Sequence, residues 1–309
     1  MKQFLTKIIF AALIVLAFHS VAVYLADEHA DEYYRKFTTP PQTSLIIGTS
    51  RAAQGIQPAI INPIVSQDDY ELPIYNFAFT LGNSPYGETY LNAIKKKLDP
   101  DTTNGLFLVC VSPWSICTSK SEAEEFPETN RFVGQVRFVN VKPNLEYLVK
   151  SYNGTWGNII HKKIFSGPSY LHEDGWLEVT VPMSDASVER RSKAKEKAYA
   201  VLKADRGYSE VRHKFLESTI SFLEKHGTVF LVRIPVPLWM EDFEKELMPN
   251  FDQVIEELAE KESVEYFNLT GSDIEYQFTD GNHLYKESGK QVSETIARRI
   301  VASRTATEE

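Results

Sequence analysis

Short, mostly apolar runs recur along this chain at residues 45–47, 74–79, 106–111, 229–234 and 264–267, interrupted only by Asn76, Arg233 and Glu265. Each is too short for a stable helix and lacks a regular polar alternate face, so each predicts a largely buried strand. Between most of them the spacing changes to that of amphipathic helices. Leu91, Ile94 and Leu98 fall at i, i+3 and i+7, and Phe251, Val254, Ile255 and Leu258 form a fuller stripe after Pro249. Val292, Ile296 and Ile300 predict a last helix, and His226-Gly227 reads as a glycine helix stop before an apolar strand. Strands alternating with amphipathic helices predict an α/β fold, a parallel sheet covered by helices on both faces. Functional groups in such sheets gather at the carboxyl ends of the strands.

One stretch breaks the rhythm. From about 112 to 203 no strand–helix alternation is visible, and a structureless loop of that length would be abnormal, so it predicts an insertion after the third strand with structure of its own. It leaves the carboxyl edge of the sheet and is expected to line one wall of a groove there. Trp114, Tyr152, Trp156, Tyr170 and Trp176 lie in it. These rings suit stacking on sugars, Trp114 and Trp156 being the candidates for substrate binding, and equally suit a small core. Residues 27–304 read as one domain, and 305–309 as a disordered tail.

The N-terminus carries Lys2 and Lys7, then no charge from residue 8 to 26, then Asp27, Glu28, Asp31 and Glu32. A helix over that uncharged stretch would be about 28 Å long, close to the hydrocarbon thickness of a bilayer. Lysines before it direct the rest of the chain out of the cytoplasm. Residues 1–26 therefore predict a membrane anchor with the N-terminus inside. A cleaved signal peptide, cut near Ser20-Val21-Ala22, is the competing reading and leads to a secreted protein. The net charge of −9 and the absence of a basic stripe argue against nucleic acid as partner. The two cysteines, Cys110 and Cys117, match no metal motif and fit a disulfide or two buried thiols alike. No cofactor or metal is expected.

The candidate chemistry sits in two strings. Gly48-Thr49-Ser50-Arg51 follows the first predicted strand, and Asp280-Gly281-Asn282-His283 precedes the last predicted helix. Serine attacks a carbonyl when a base takes its proton, and the base works best when a third group fixes its tautomer. Ser50, His283 and Asp280 supply those three groups, and only folding can join them. Each string alone is common, since most serines at strand ends and most Asp/His neighbours are caps or solvated loop residues. Arg51 is either a ligand for a substrate oxygen or acidic group, or the partner of a loop carboxylate that pins the serine turn.

Ile46-Ile47-Gly48-Thr49-Ser50-Arg51, Tyr75-Asn76-Phe77-Ala78 leading to Gly82, and Asp280-Gly281-Asn282-His283-Leu284 together resemble the SGNH hydrolase superfamily. With the N-terminal anchor they are similar to its membrane-anchored envelope branch, which includes the D-alanyl-lipoteichoic acid biosynthesis protein and the alginate and peptidoglycan O-acetyltransferases. The resemblance implies a three-layer, doubly wound, flavodoxin-like sheet, with Ser50 as nucleophile, His283 as base and Asp280 as its orienting acid. It implies an esterase or O-acyltransferase acting on cell-surface polysaccharide, with a membrane-bound O-acyltransferase as partner, or an accessory protein that turns over little. Its oxyanion donors would be the Ser50 and Gly82 N–H groups and an asparagine after the third strand. This chain has Ser112-Pro113-Trp114-Ser115 there, leaving Asn83, after the second strand, as a substitute. An α/β-hydrolase elbow, the structural rival, comes after several strands rather than the first.

Overall fold

A computed structural model describes residues 1–27, 29–120, 132–152, 154–165, 167–271 and 274–308, so Glu28, part of the insertion, Ser272, Asp273 and Glu309 lie outside the described residues. The strands in chain order are β1 (Ser44–Ile47), β2 (Ile74–Asn76), β3 (Gly105–Cys110), β4 (Cys117–Ser119), β5 (Ser169–Leu171), β6 (Leu177–Val179), β7 (Arg206–Tyr208), β8 (Gly227–Arg233) and β9 (Glu265–Asn268). Five of them form one parallel sheet in the order β2-β1-β3-β8-β9. This is the flavodoxin-like doubly wound order, and its direction reverses between β1 and β3.

Alternation along each strand divides the core into two layers. Leu45, Ile47, Phe107, Val109, Val229 and Leu231 pack on one face with the helices Glu88–Lys97, Glu210–Leu223 and Phe251–Lys261. Ile46, Leu106, Leu108, Phe230 and Val232 pack on the other, where Val292, Ile296 and Ile300 of the helix Lys286–Glu308 are fully buried. The apolar stripes therefore face the sheet as their spacing requires. One local expectation changes. The helix before β8 ends at Leu223, and Gly227 opens the strand instead of capping the helix. The last helix is described as far as Glu308.

The N-terminal helix Lys2–Leu25 is long and apolar enough to cross a membrane and is almost entirely exposed. The segment after it is locked into the domain by polar contacts. Asp31 accepts from the Tyr33 and Tyr34 N–H groups and from Tyr147 Oη at 2.6 Å. Lys36, wholly buried, donates to the carbonyls of Asn76 (2.9 Å) and Ala78 (2.8 Å), and burial pushes its ammonium well below the usual lysine range.

The insertion leaves β3 and returns through an antiparallel pair, β4 with β7, that closes its base. Beyond the pair lie short helices at Leu145–Lys150 and Trp156–Ile164, the hairpin β5–β6, and the long helix Asp185–Asp205. Cys110 and Cys117 are both free and buried.

Candidate active site

β1 delivers Ser50 to the carboxyl edge of the sheet through a turn that only glycine fits. Gly48 has φ +145°, and a Cβ there would lie 2.7 Å from Cys110 Cβ on the neighbouring strand. The turn is clamped from behind: Tyr90 Oη accepts from Gly48 N at 3.0 Å and donates to the Phe77 carbonyl, while Ser84 Oγ donates to Gly48 O at 2.7 Å. Ser50 then opens a short helix, Ser50–Gly55.

The second string forms a tight turn between residues 277 and 285. Thr279 N donates to His283 O at 2.8 Å, and Tyr285 N to Gln277 O at 2.8 Å. Inside it Asp280 Oδ1 accepts from the backbone N–H of Asn282 (3.1 Å) and His283 (3.0 Å), which fixes the carboxylate beneath the ring. Gly281 takes φ +74°, and a Cβ there would meet Trp239 at 2.9 Å and Ser192 at 3.0 Å. The two strings converge. His283 Nε2 lies 2.8 Å from Ser50 Oγ, and His283 Nδ1 lies 3.0 Å from both Asp280 oxygens. With Nδ1–H donated to the carboxylate, Nε2 keeps its lone pair toward the serine hydroxyl.

Three further groups surround this triad, two of them outside both strings. Lys195, on the helix Asp185–Asp205, places Nζ 3.0 Å from Asp280 Oδ2. Burial works against the Asp280 charge, but the hydrogen bond and charge of His283 and the Lys195 ammonium outweigh it and hold the carboxyl well below its usual range. Arg191, one turn earlier, donates to Thr279 O at 2.7 Å, so the insertion helix is tied to the triad turn at two points. Asn282 points its amide nitrogen at His283 Nε2 from 3.2 Å, and its Oδ1 accepts from Arg51 Nε at 2.9 Å. Acidic and basic residues spaced far apart in sequence gave no hint of either contact.

A cavity of about 420 Å³ opens on Ser50 and His283. Gly82, Thr80 and Leu81 border it from the loop after β2, and Tyr33 from the segment after the N-terminal helix. The insertion supplies Leu177, Val179, Lys195, Tyr199 and Leu202, together one wall. Among the described residues no group of His, Cys, Asp and Glu is arranged to hold a metal ion.

The other candidates sit elsewhere. Arg51 is buried with its guanidinium turned from the cavity, and Nη1 donates to Glu244 Oε1 at 2.6 Å. Glu244 also takes Arg233, which pairs with the half-exposed Asp252, so three buried charges and one at the surface form a chain. Asn83 gives its amide to Thr80 Oγ1 at 2.8 Å and does not border the cavity. Trp114 is 1% exposed and meets Tyr199 edge to face at 4.7 Å, so its ring supports the cavity wall from beneath rather than facing a sugar. Trp156 packs on His19 of the N-terminal helix, with ring centroids 5.1 Å apart.

No protein-family model matches the chain, and no curated protein matches it in sequence. Among solved structures it is similar to a carbohydrate acetylesterase from Sinorhizobium meliloti, at 12% identity and TM-score 0.37, covering 84% of this chain and 98% of that one. It is also similar to an aryl esterase from M. smegmatis, inhibitor-bound, at 10% identity and TM-score 0.36, covering 84% and 99%. At this level of likeness the reading of the site rests on its own geometry.

Proposed function

We propose that this chain is a serine-dependent, ester-active enzyme held at the outer face of the cytoplasmic membrane. The observation that carries the reading is the 2.8 Å approach of His283 Nε2 to Ser50 Oγ with Asp280 on the opposite ring nitrogen. Ser50 Oγ attacks an acyl carbonyl as its proton passes to His283. The tetrahedral species collapses as His283 returns that proton to the leaving alkoxide, leaving an acyl-serine. A second oxygen nucleophile then attacks as His283 takes its proton, and His283 returns that proton to Ser50 Oγ as the bond between serine and acyl group breaks. Water as acceptor makes an esterase; a hydroxyl of cell-surface polysaccharide makes an O-acyltransferase, the form in which a membrane-bound O-acyltransferase would be its partner.

The negative oxygen of the intermediate forms beside Ser50 N and Gly82, which border the cavity. Asn282 supplies the side-chain amide that the third strand lacks. One of its two N–H bonds faces His283, and Arg51 on its oxygen fixes which end points inward. An oxyanion donor of this kind is worth about 3 kcal/mol in the transition state. For orientation, Lys2 and Lys7 in the first turns of the helix Lys2–Leu25 support an N-terminus inside and a domain outside.

The test is labelling of the full chain in detergent with a serine-directed fluorophosphonate. Wild type is expected to label at one site. Ser50→Ala should abolish labelling, and His283→Ala should slow it by several orders of magnitude, with ester turnover in the double variant falling little further than in either single one. A wild-type protein that stays folded and does not label would leave the accessory role, for which the missing third-strand asparagine is the support.

A further inference from the structure

Outside the N-terminal helix, large apolar side chains are concentrated on the outer surface of the insertion between residues 138 and 165. Val149 is 73% exposed, Ile164 69% and Phe165 62%, and Phe138, Val141 and Leu145 join them. These positions are not scattered. Leu145 and Val149 stand four apart on the helix Leu145–Lys150, on the side away from the buried Tyr147 and Leu148. Ile160 and Ile164 stand four apart on the helix Trp156–Ile164, next to Trp156, which is partly buried against the core. Soluble surfaces rarely present apolar groups in this density without a partner.

The position of the insertion says what that partner is. The helix Trp156–Ile164 packs against the N-terminal helix, and Trp156 meets His19 at 5.1 Å. His19 lies six positions, about 9 Å, before Leu25, the end of that helix. The contact is therefore in the outer third of the helix, next to the interfacial layer in which tryptophan concentrates. The arrangement is fastened: Lys162 Nζ donates to Ala30 O at 3.1 Å, and Tyr147 and Asn144 are hydrogen-bonded to Asp31 and Tyr34 in the segment after the helix. Lys142, Lys150 and Lys162 are interleaved with the apolar side chains, as on helices that lie in a lipid headgroup layer.

We infer that residues 138–165 dock on the outer leaflet of the membrane that Lys2–Leu25 crosses, with Val149, Ile164 and Phe165 inserted at headgroup level. This rests on Lys2–Leu25 spanning the bilayer and is independent of the chemistry at Ser50. Because Tyr33 of the same fastened segment borders the cavity, docking fixes the height of the catalytic cavity above the lipid surface.

The experiment uses the full chain with single added cysteines, Leu13→Cys, Val149→Cys, Ile164→Cys and Val301→Cys, each carrying an environment-sensitive fluorophore. The two native thiols are buried and contribute little background. The protein is reconstituted in phosphatidylcholine–phosphatidylglycerol vesicles, and quenching by nitroxide-bearing acyl chains is compared with quenching by iodide on both sides of the membrane. Val301, on the opposite face of the sheet, marks the aqueous limit, and Leu13 the lipid limit. Residues 149 and 164 are expected to be quenched by the lipid nitroxide, and several-fold less by iodide than residue 301. Iodide quenching equal to that at 301 overturns the inference. So does protection from both quenchers, which would mean that a second protein copy covers the face, and so does a Leu13 probe that the lipid nitroxide does not reach.

Discussion

Arg51 follows Ser50 directly and yet supports its turn from behind. Its guanidinium spans Asn282 and Glu244, holding the amide beside His283 and neutralising a carboxylate that is almost fully enclosed. Removing one partner of a buried pair leaves the other charge uncompensated. Arg51→Met should therefore cost about 3 kcal/mol, at the low end because Arg233 still holds Glu244, and a fall in melting temperature of the full chain in detergent would register it. Arg51→Lys keeps the charge but not the fork, and should lose stability and turnover together, since Asn282 is then free to rotate. Unchanged melting with weakened substrate binding alone would assign Arg51 to the ligand instead.

At the scale of elements, the insertion helix Asp185–Asp205 has few buried side chains of its own; Tyr199 is its main anchor. Trp114, in the short helical turn Pro113–Ser115 after β3, is the floor on which Tyr199 rests, together with Val236 and Met240. Lys195 and Leu202, neighbours of Tyr199 on the same helix, border the cavity. Trp114→Ala should cost about 3–5 kcal/mol as a large-to-small change in a packed site. It should also reduce fluorophosphonate labelling of Ser50, because the wall that carries Lys195 loses its support. Trp156→Ala, by contrast, should leave labelling unchanged, its ring being against the N-terminal helix. Equal effects of the two substitutions on labelling would contradict this division.

The whole molecule carries an unusual load of buried cations, and that gives its stability a pH dependence of definite sign. Lys97 is buried with Nζ donating to the carbonyls of Thr39 (2.8 Å) and Val139 (3.1 Å), and burial brings its pKa down to about 7. Unfolding restores the ordinary value of 10.5, so between those limits the unfolded chain binds a proton that the folded chain has released. Stability therefore rises with pH across that window, by up to about 1.4 kcal/mol per unit for one such group, and levels off below about pH 7, where both states hold the proton. Lys36, depressed by burial in the same direction, adds to the slope. The melting temperature in detergent should rise between about pH 7 and 8, below the usual thiol pKa of about 8.5. Lys97→Met should flatten that rise, and a slope unchanged by the substitution would show that Lys97 is solvated.

Strand and helix periodicity alone determined the five-stranded α/β core, because residues 45–47 or 106–111 have one stable fate: burial on both faces of a sheet. The edge on which Ser50 emerges follows from the same pattern, and the turn at Gly48 from a glycine that local sequence makes visible. Local sequence also supplied Asp280 and His283, since a carboxylate and an imidazole three residues apart can meet within one turn. What it could not carry were partnerships between distant segments. Whether Arg51 met a ligand or Glu244 depended on the helix Leu238–Leu247 reaching the serine turn. Whether Trp114 stacked on a substrate or supported Tyr199 depended on where the insertion folded back. Lys195 had no motif at all. Periodicity records which face of an element is buried, a property of neighbours in the chain; which side chain fills or faces a given space is set by elements that the sequence lists far apart and only packing brings together.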